Sequence, residues 1–192
     1  MRRLRVIADG FAGGRSDRIH RAVGLSLPRM FQTLAGRSDA VEAAEFSRCF
    51  AERADLRMAT LTFMFACVPS VLNELKRRGM LTTIVSTKFR YRIESILARE
   101  RLTDAFEVVV GGEDVAAHKP NPEGLNTALA KLGAAAVNAL YVGDHPVDAD
   151  AAAAAGVRFF AVLSGSAVES DFAGGNVDRF LSSLDELPPL LP

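Results

Sequence analysis

The chain reads as a doubly wound α/β domain with a parallel sheet at its core and a small all-helical insertion near its N-terminus. Five short runs rich in β-branched or aromatic residues have the length and near-continuous apolarity of strands buried on both faces: Leu4 to Ala8, Leu81 to Val85, Phe106 to Val110, Leu140 to Val142 and Arg158 to Val162. Helical patterns separate the last four, and such alternation is the mark of a parallel sheet. Residues 15 to 68 break the rhythm, because they offer helical periodicity with no convincing strand between.

Taken in order, Leu4 to Ala8 ends at Asp9 and runs into Gly10-Phe11-Ala12-Gly13-Gly14, whose glycines suit a flexible or tight turn. Ser16 to Leu27, Arg29 to Leu34, Asp39 to Arg53 and Leu56 to Phe65 read as three or four short helices. Pro69 suits the first turn of a helix over Ser70 to Arg78, where its missing N–H costs nothing, and Gly79 closes that helix. Tyr91 to Arg99 is amphipathic. Pro122 starts a helix carrying Leu125, Leu129 and Leu132 to Gly133. The run Leu140 to Val142 leads through Gly143 to Asp144, and the alanine tract Ala151 to Ala155 ends at Gly156. Ser182 to Pro192 reads as a short final helix that Pro188-Pro189 stops or kinks.

At 192 residues the chain suits one domain, or one domain with a modest insertion. Its 23 basic and 23 acidic residues cancel, so no overall field draws it to nucleic acid or an anionic membrane, and an anionic ligand must be held by local groups. Cys49 and Cys67 lack metal-ligand spacing, sit in apolar helical-looking surroundings and read as buried free thiols. Met1-Arg2-Arg3 precedes a run too short for a signal peptide or a membrane span, so the expected location is cytoplasmic.

In open α/β sheets ligands bind beyond the carboxyl ends of the strands, which singles out polar residues directly after apolar runs. Asp9, Ser86, Lys119 and Asp144 meet that description, with Asp148 one helical turn beyond Asp144. Each alone reads equally well as a cap, a turn residue or a solvated charge. Together they place a carboxylate, a hydroxyl, a lysine and an acidic pair at one sheet edge, where a cation and a phosphate could sit. His118 and His145 flank these positions and read as rim residues. The glycines of 10 to 14 do not follow GxGxxG, and no Lys-Ser/Thr pair follows them, which argues against a dinucleotide site or a P-loop.

In that order, Asp9, Ser86, Lys119 in His118-Lys119-Pro120-Asn121-Pro122, and Gly143-Asp144 with Asp148 resemble the four motifs of the haloacid dehalogenase superfamily, in its phosphoglycolate phosphatase-like branch. Ala161 to Gly165 and Leu181 to Pro188 resemble that branch too. The resemblance implies a Rossmann-like core over residues 1–14 and 69–192, with residues 15–68 as a short helical cap that selects substrate. It implies Asp9 as a nucleophile forming an aspartyl-phosphate, Ser86 with Thr87 as phosphate binders, and Lys119 paired with phosphate and nucleophile. It also implies Mg²⁺ held by Asp9, the Phe11 carbonyl and Asp144, with Asp148 either joining the shell or orienting Lys119. The substrate would be a small phosphorylated metabolite and the protein a monomer or homodimer.

The first motif departs from the family pattern, which has Asp-x-Asp followed by Gly-Thr. Phe11 stands where the resemblance implies the general acid/base, and Gly13 lacks the threonine hydroxyl. Losing such an acid typically costs about 10²–10⁴-fold, unless Asp17 or His20 substitutes for it. Two alternatives stay open. One is a non-catalytic relative that binds a phosphometabolite or a protein; the other is a haloacid dehalogenase, which carries an aromatic residue at that place and needs no leaving-group acid.

Overall fold

The computed structural model describes residues 22, 24–165 and 167–192. The expected strand Leu4 to Ala8 and most of the expected helix Ser16 to Leu27 lie outside them. The chain divides into two compact units between Met64 and Phe65.

The described part of the first unit is helical. Helix α1, Leu27–Ala35, carries Pro28 in its first turn and stops at Gly36, whose φ of 69° lets its N–H reach the Gln32 carbonyl at 3.0 Å. Helix α2, Ala40–Leu61, starts where the Asp39 carboxylate accepts the Glu42 backbone N–H at 2.9 Å. It runs unbroken through the gap that the sequence reading leaves between Arg53 and Leu56. No glycine or proline lies there, so nothing interrupts the backbone ladder, and two expected helices become one. Buried Phe31 on α1 meets Phe46 on α2 at 5.8 Å between ring centroids, and Phe46 meets Phe50 one turn on at 6.0 Å.

The second unit alternates helix and strand. Helix α3, Val68–Arg77, buries Val71, Leu72 and Leu75 and is closed by Gly79 at φ 71°. Strand β1, Thr83–Val85, pairs in parallel with β2, Val108–Val110, with Val85 opposite Val110. Between them helix α4, Arg90–Arg99, buries Ile93, Ile96 and Leu97. Helix α5, Glu123–Leu132, follows β2; a Cβ on Gly124 would lie 2.8 Å from Val85 Cγ1, so this glycine lets the helix settle directly on β1.

Strand β3, Leu140–Gly143, helix α6, Pro146–Ala155, and strand β4, Arg158–Val162, complete a second parallel run, with Tyr141 opposite Phe159 and Gly143 opposite Ala161. Phe159 and Ala161 pack with Leu125 of α5 and Ala149, Ala151 and Ala152 of α6. Phe160 and Val162 point the other way, onto Leu181 and Leu187. Both faces of β4 are thus covered, the physical reason its sequence is apolar without alternation.

The chain's end differs from expectation. Arg179–Leu181 forms a further parallel strand, β5, on the open edge of β4, with Leu181 opposite Val162. The expected final helix is instead two 3₁₀ turns, Leu184–Glu186 and Pro188–Leu190, because Pro188 and Pro189 have no N–H to extend an α-helical ladder. Arg78 donates to the Pro188 carbonyl at 2.9 Å and the Leu191 carbonyl at 3.2 Å, tying this tail to the end of α3. Every strand pair among the described residues is parallel, as the sequence pattern implies for a doubly wound α/β core. No described helix is long and apolar enough to cross a membrane.

Candidate active site

Among the described residues the strands form two parallel sheets, β1-β2 and β3-β4-β5, linked by the Tyr141 hydroxyl donating to the Val85 carbonyl at 3.2 Å, and the chain leaving β1, β2 and β3 carries the polar residues of interest. Ser86 follows β1 directly. Its N–H continues the ladder to the Val110 carbonyl at 3.0 Å, while its Oγ accepts the Lys88 N–H at 3.1 Å, a local turn that fixes the hydroxyl. The loop after β2 is locked against it. Gly112 donates to the Lys88 carbonyl at 2.8 Å, and a Cβ on Gly112 would stand 2.6 Å from the Thr87 carbonyl oxygen. Glu113 of the same loop accepts the Arg90 N–H with both carboxylate oxygens, at 2.8 and 2.9 Å, placing a negative charge at the N-terminus of α4.

Lys119 sits on the segment between this loop and α5. That segment turns, with a cis Lys119–Pro120 peptide and an Asn121 N–H donating to the His118 carbonyl at 3.1 Å. Glu123 holds the turn from below, accepting from Ala116 at 2.9 Å and Ala117 at 2.8 Å; these two bonds lower its carboxyl below the usual range.

The Lys119 ammonium donates to Asp148 Oδ1 and, at 3.0 Å, to the Tyr141 hydroxyl. The Lys119 and Asp148 side chains are only 12% and 6% exposed, so this ion pair lies away from bulk water. Burial opposes the ammonium, but Tyr141 and Asp148 outweigh it and hold Lys119 above its ordinary value. Burial, reinforced by the charge of Asp148, pushes the Tyr141 phenol up to about 12, so it is neutral at physiological pH. Asp148 Oδ2 accepts the His145 N–H at 3.2 Å, and His145 Nδ1 accepts the Val147 N–H at 3.2 Å. His145 therefore caps α6, a place the rim reading missed. Of the two roles open for Asp148 in the sequence, its contacts are those of a group that orients Lys119.

Asp144 leaves β3 with its carboxyl reachable by solvent yet surrounded by enough protein that desolvation raises it above the usual carboxylate range. The charge of Asp148 adds to this, while His145, Lys119 and Lys88 oppose it. Gly165, after β4, packs on it so closely that a Cβ there would lie 2.6 Å from Asp144 Cβ. Lys88, which the sequence reading passed over, is a half-buried cation lowered by burial, supported by Asp144 and further lowered by Lys119 and Arg92. The signal available for it was its place two residues after Ser86. Tyr141 was also missed; its signal was a phenol inside an otherwise aliphatic buried strand.

Asp9 and Phe11 lie outside the described residues, as do Gly13, Asp17 and His20. Among the described residues no cluster of three His, Cys, Asp or Glu side chains could hold a metal ion. What they offer is Asp144, a hard oxygen donor whose raised carboxyl a divalent cation would relieve, and that chemistry fits magnesium.

Gly143 shows how tight the lysine anchor is. A Cβ there would come within 2.6 Å of Asp148 Oδ2 and 2.7 Å of Asp148 Cβ. Gly143→Ala is therefore expected to destabilise the fold by about 1–3 kcal/mol through overpacking, measured by urea unfolding. An unchanged midpoint would mean that Asp148 moves aside without cost.

Residues 9–162 match the family described as haloacid dehalogenase-like hydrolase. A phosphoglycolate phosphatase from Cupriavidus necator is 35% identical over 176 residues, which are 90% of this chain and 74% of that protein. A pyrophosphatase from Bacillus cereus is 36% identical over 130 residues, 66% of this chain and 59% of that one. The chain spans less than two thirds of the pyrophosphatase and of several further phosphoglycolate phosphatases that it matches. Among solved structures, a haloacid dehalogenase-like hydrolase from Bacteroides fragilis superposes with a TM-score of 0.89 at 40% identity, covering 93% of this chain and 85% of that one.

Proposed function

The chain belongs to the haloacid dehalogenase-like hydrolases, in their phosphoglycolate phosphatase-like branch, and from that premise we propose that it is a Mg²⁺-dependent phosphatase of a small phosphorylated metabolite. The observation that carries this reading is the buried Lys119–Asp148 pair, which acts on the charge of Asp144 and is joined through the Tyr141 hydroxyl to Val85, the residue before Ser86. Phosphoryl transfer asks for that kind of positioned charge more than for covalent machinery.

In this reading the Asp9 carboxylate attacks phosphorus in line, the bond to the leaving oxygen breaks, and an aspartyl-phosphate forms. Water then attacks phosphorus, releasing inorganic phosphate and restoring the carboxylate. Ser86, Thr87 and Lys119 hold the phosphoryl oxygens, and Asp148 keeps Lys119 in place. Mg²⁺, when bound by Asp9, the Phe11 carbonyl and Asp144, supplies charge neutralisation. Residues 15–68 serve as the cap that chooses the substrate.

Phe11 cannot protonate a leaving group. Turnover is therefore expected to be acceptable with p-nitrophenyl phosphate, whose leaving group needs no proton, slow with an alkyl phosphate, and lost on chelation of Mg²⁺. Phe11→Asp is expected to accelerate the alkyl ester by about tenfold or more. Equal wild-type rates on phosphoglycolate and p-nitrophenyl phosphate would show that another group gives the proton. Phe11 and Gly13 also support a second reading, a non-catalytic binder of a phosphometabolite or a protein. It becomes the better one if neither ester turns over and Phe11→Asp rescues neither.

A further inference from the structure

A phenol buried within a strand needs hydrogen-bond partners, and those of Tyr141 join three separate segments. Its oxygen accepts from Lys119 Nζ at 3.0 Å. Its single proton can go to the Val85 carbonyl at 3.2 Å or to Asp148 Oδ1 at 3.3 Å. Asp148 Oδ1 already receives Lys119, so giving the proton to Val85 satisfies every member of the network. Val85 immediately precedes Ser86. The same hydroxyl therefore ties the Lys119 ammonium to the strand end that carries the candidate phosphate-binding serine.

A lysine held by one ion pair can rotate its ammonium and swing its four-carbon stem. With two fixed partners, Asp148 from α6 and Tyr141 from β3, two of its three N–H directions are set and the third is directed. The Tyr141 ring is held independently, by Phe159 at 5.9 Å between centroids, so removing the hydroxyl leaves the packing in place. We infer that Tyr141 is a positioning residue that aims the Lys119 ammonium at the anionic group bound beside Ser86. The inference rests on the phosphatase reading for what that anion is, and on the observed hydrogen bonds for the aim.

The test compares wild type with Tyr141→Phe in the full chain with Mg²⁺, reading kcat and KM on p-nitrophenyl phosphate, the affinity for inorganic phosphate by calorimetry, and Tm. Arg78→Gln serves as a control that removes contacts at Glu74, Pro188 and Leu191, none of which is a residue of the candidate site. Misdirection of one charged donor is expected to lower kcat by about ten- to a hundredfold with KM changed less than about threefold. Phosphate affinity should fall with it. Tm should drop by only about 2–4 °C, as in the control, whose kcat should stay at the wild-type value. Unchanged kcat and phosphate affinity in Tyr141→Phe overturns the inference; so does a kcat loss matched by the control, and so does a variant that does not fold, since each assigns the hydroxyl to stability alone. Wild type without turnover is the failure of the phosphatase reading instead, and phosphate affinity then decides for or against Tyr141 by itself.

Discussion

Replacing Lys119 with methionine is expected to cost about 3–5 kcal/mol of folding stability and about 10²–10³-fold in turnover. Stability falls because Asp148, 4% exposed, is left as a buried carboxylate without its counter-ion, which costs far more than the net worth of the pair. In the proposed mechanism turnover falls because the cation that meets developing phosphoryl charge is lost. The two effects separate in Lys119→Met/Asp148→Leu, where no charge is left stranded: most of the stability should return while activity stays low. Lys119 is held above its ordinary value, so its contribution is complete below the unfolded-chain value of about 10.4 and is lost only as pH rises through the folded one. Urea unfolding at neutral pH thus reads the whole effect. A loss under about 1 kcal/mol would mean that water reaches the pair.

Asp9→Asn is expected to lower turnover on the order of 10⁴-fold or more, the scale on which removal of a covalent nucleophile acts. The amide keeps the shape of the side chain but is too weak a nucleophile to form the acyl phosphate, so KM should move little while kcat collapses. Steady-state hydrolysis of p-nitrophenyl phosphate with saturating Mg²⁺ measures it. Residual turnover within tenfold of wild type would show that phosphoryl transfer bypasses Asp9, and the aspartyl-phosphate route would have to be abandoned.

Much of the fold is legible because its punctuation is local. Pro69, Gly79, Gly133 and Gly156 mark helix ends through backbone restrictions that act within one turn, and the structure ends its helices at those places. The run Arg158 to Val162 becomes β4 with the same bounds, since burial on both faces leaves a continuous apolar signal. Where the reading departs from the structure, local signals were weak. Nothing local says that Arg53 to Leu56 continues a helix, although nothing there breaks one. Three residues, Arg179–Leu181, are too few to read as a strand; they become one because the free edge of β4 takes their hydrogen bonds.

Ser86, Asp144 and Asp148 were legible as polar groups at or just past strand ends, and the structure sets Ser86 after β1 and Asp144 after β3. Their partners were not legible. Tyr141 reaches Lys119 across 22 positions and Val85 across 56, and Lys119 reaches Asp148 across 29. The sequence by itself determined the alternating parallel α/β pattern, the helix ends that proline or glycine marks, and the places of Ser86 and Asp144 after strands, because dihedral limits, missing donors and apolar periodicity act over a few residues; Lys119, nine residues past β2, is not a strand-end residue. Only the tertiary structure decided that Asp148 anchors Lys119, that Tyr141 joins them to β1 and that His145 caps a helix. A charge or a hydroxyl takes the partner that packing brings within about 3 Å, and residue type alone does not carry that distance.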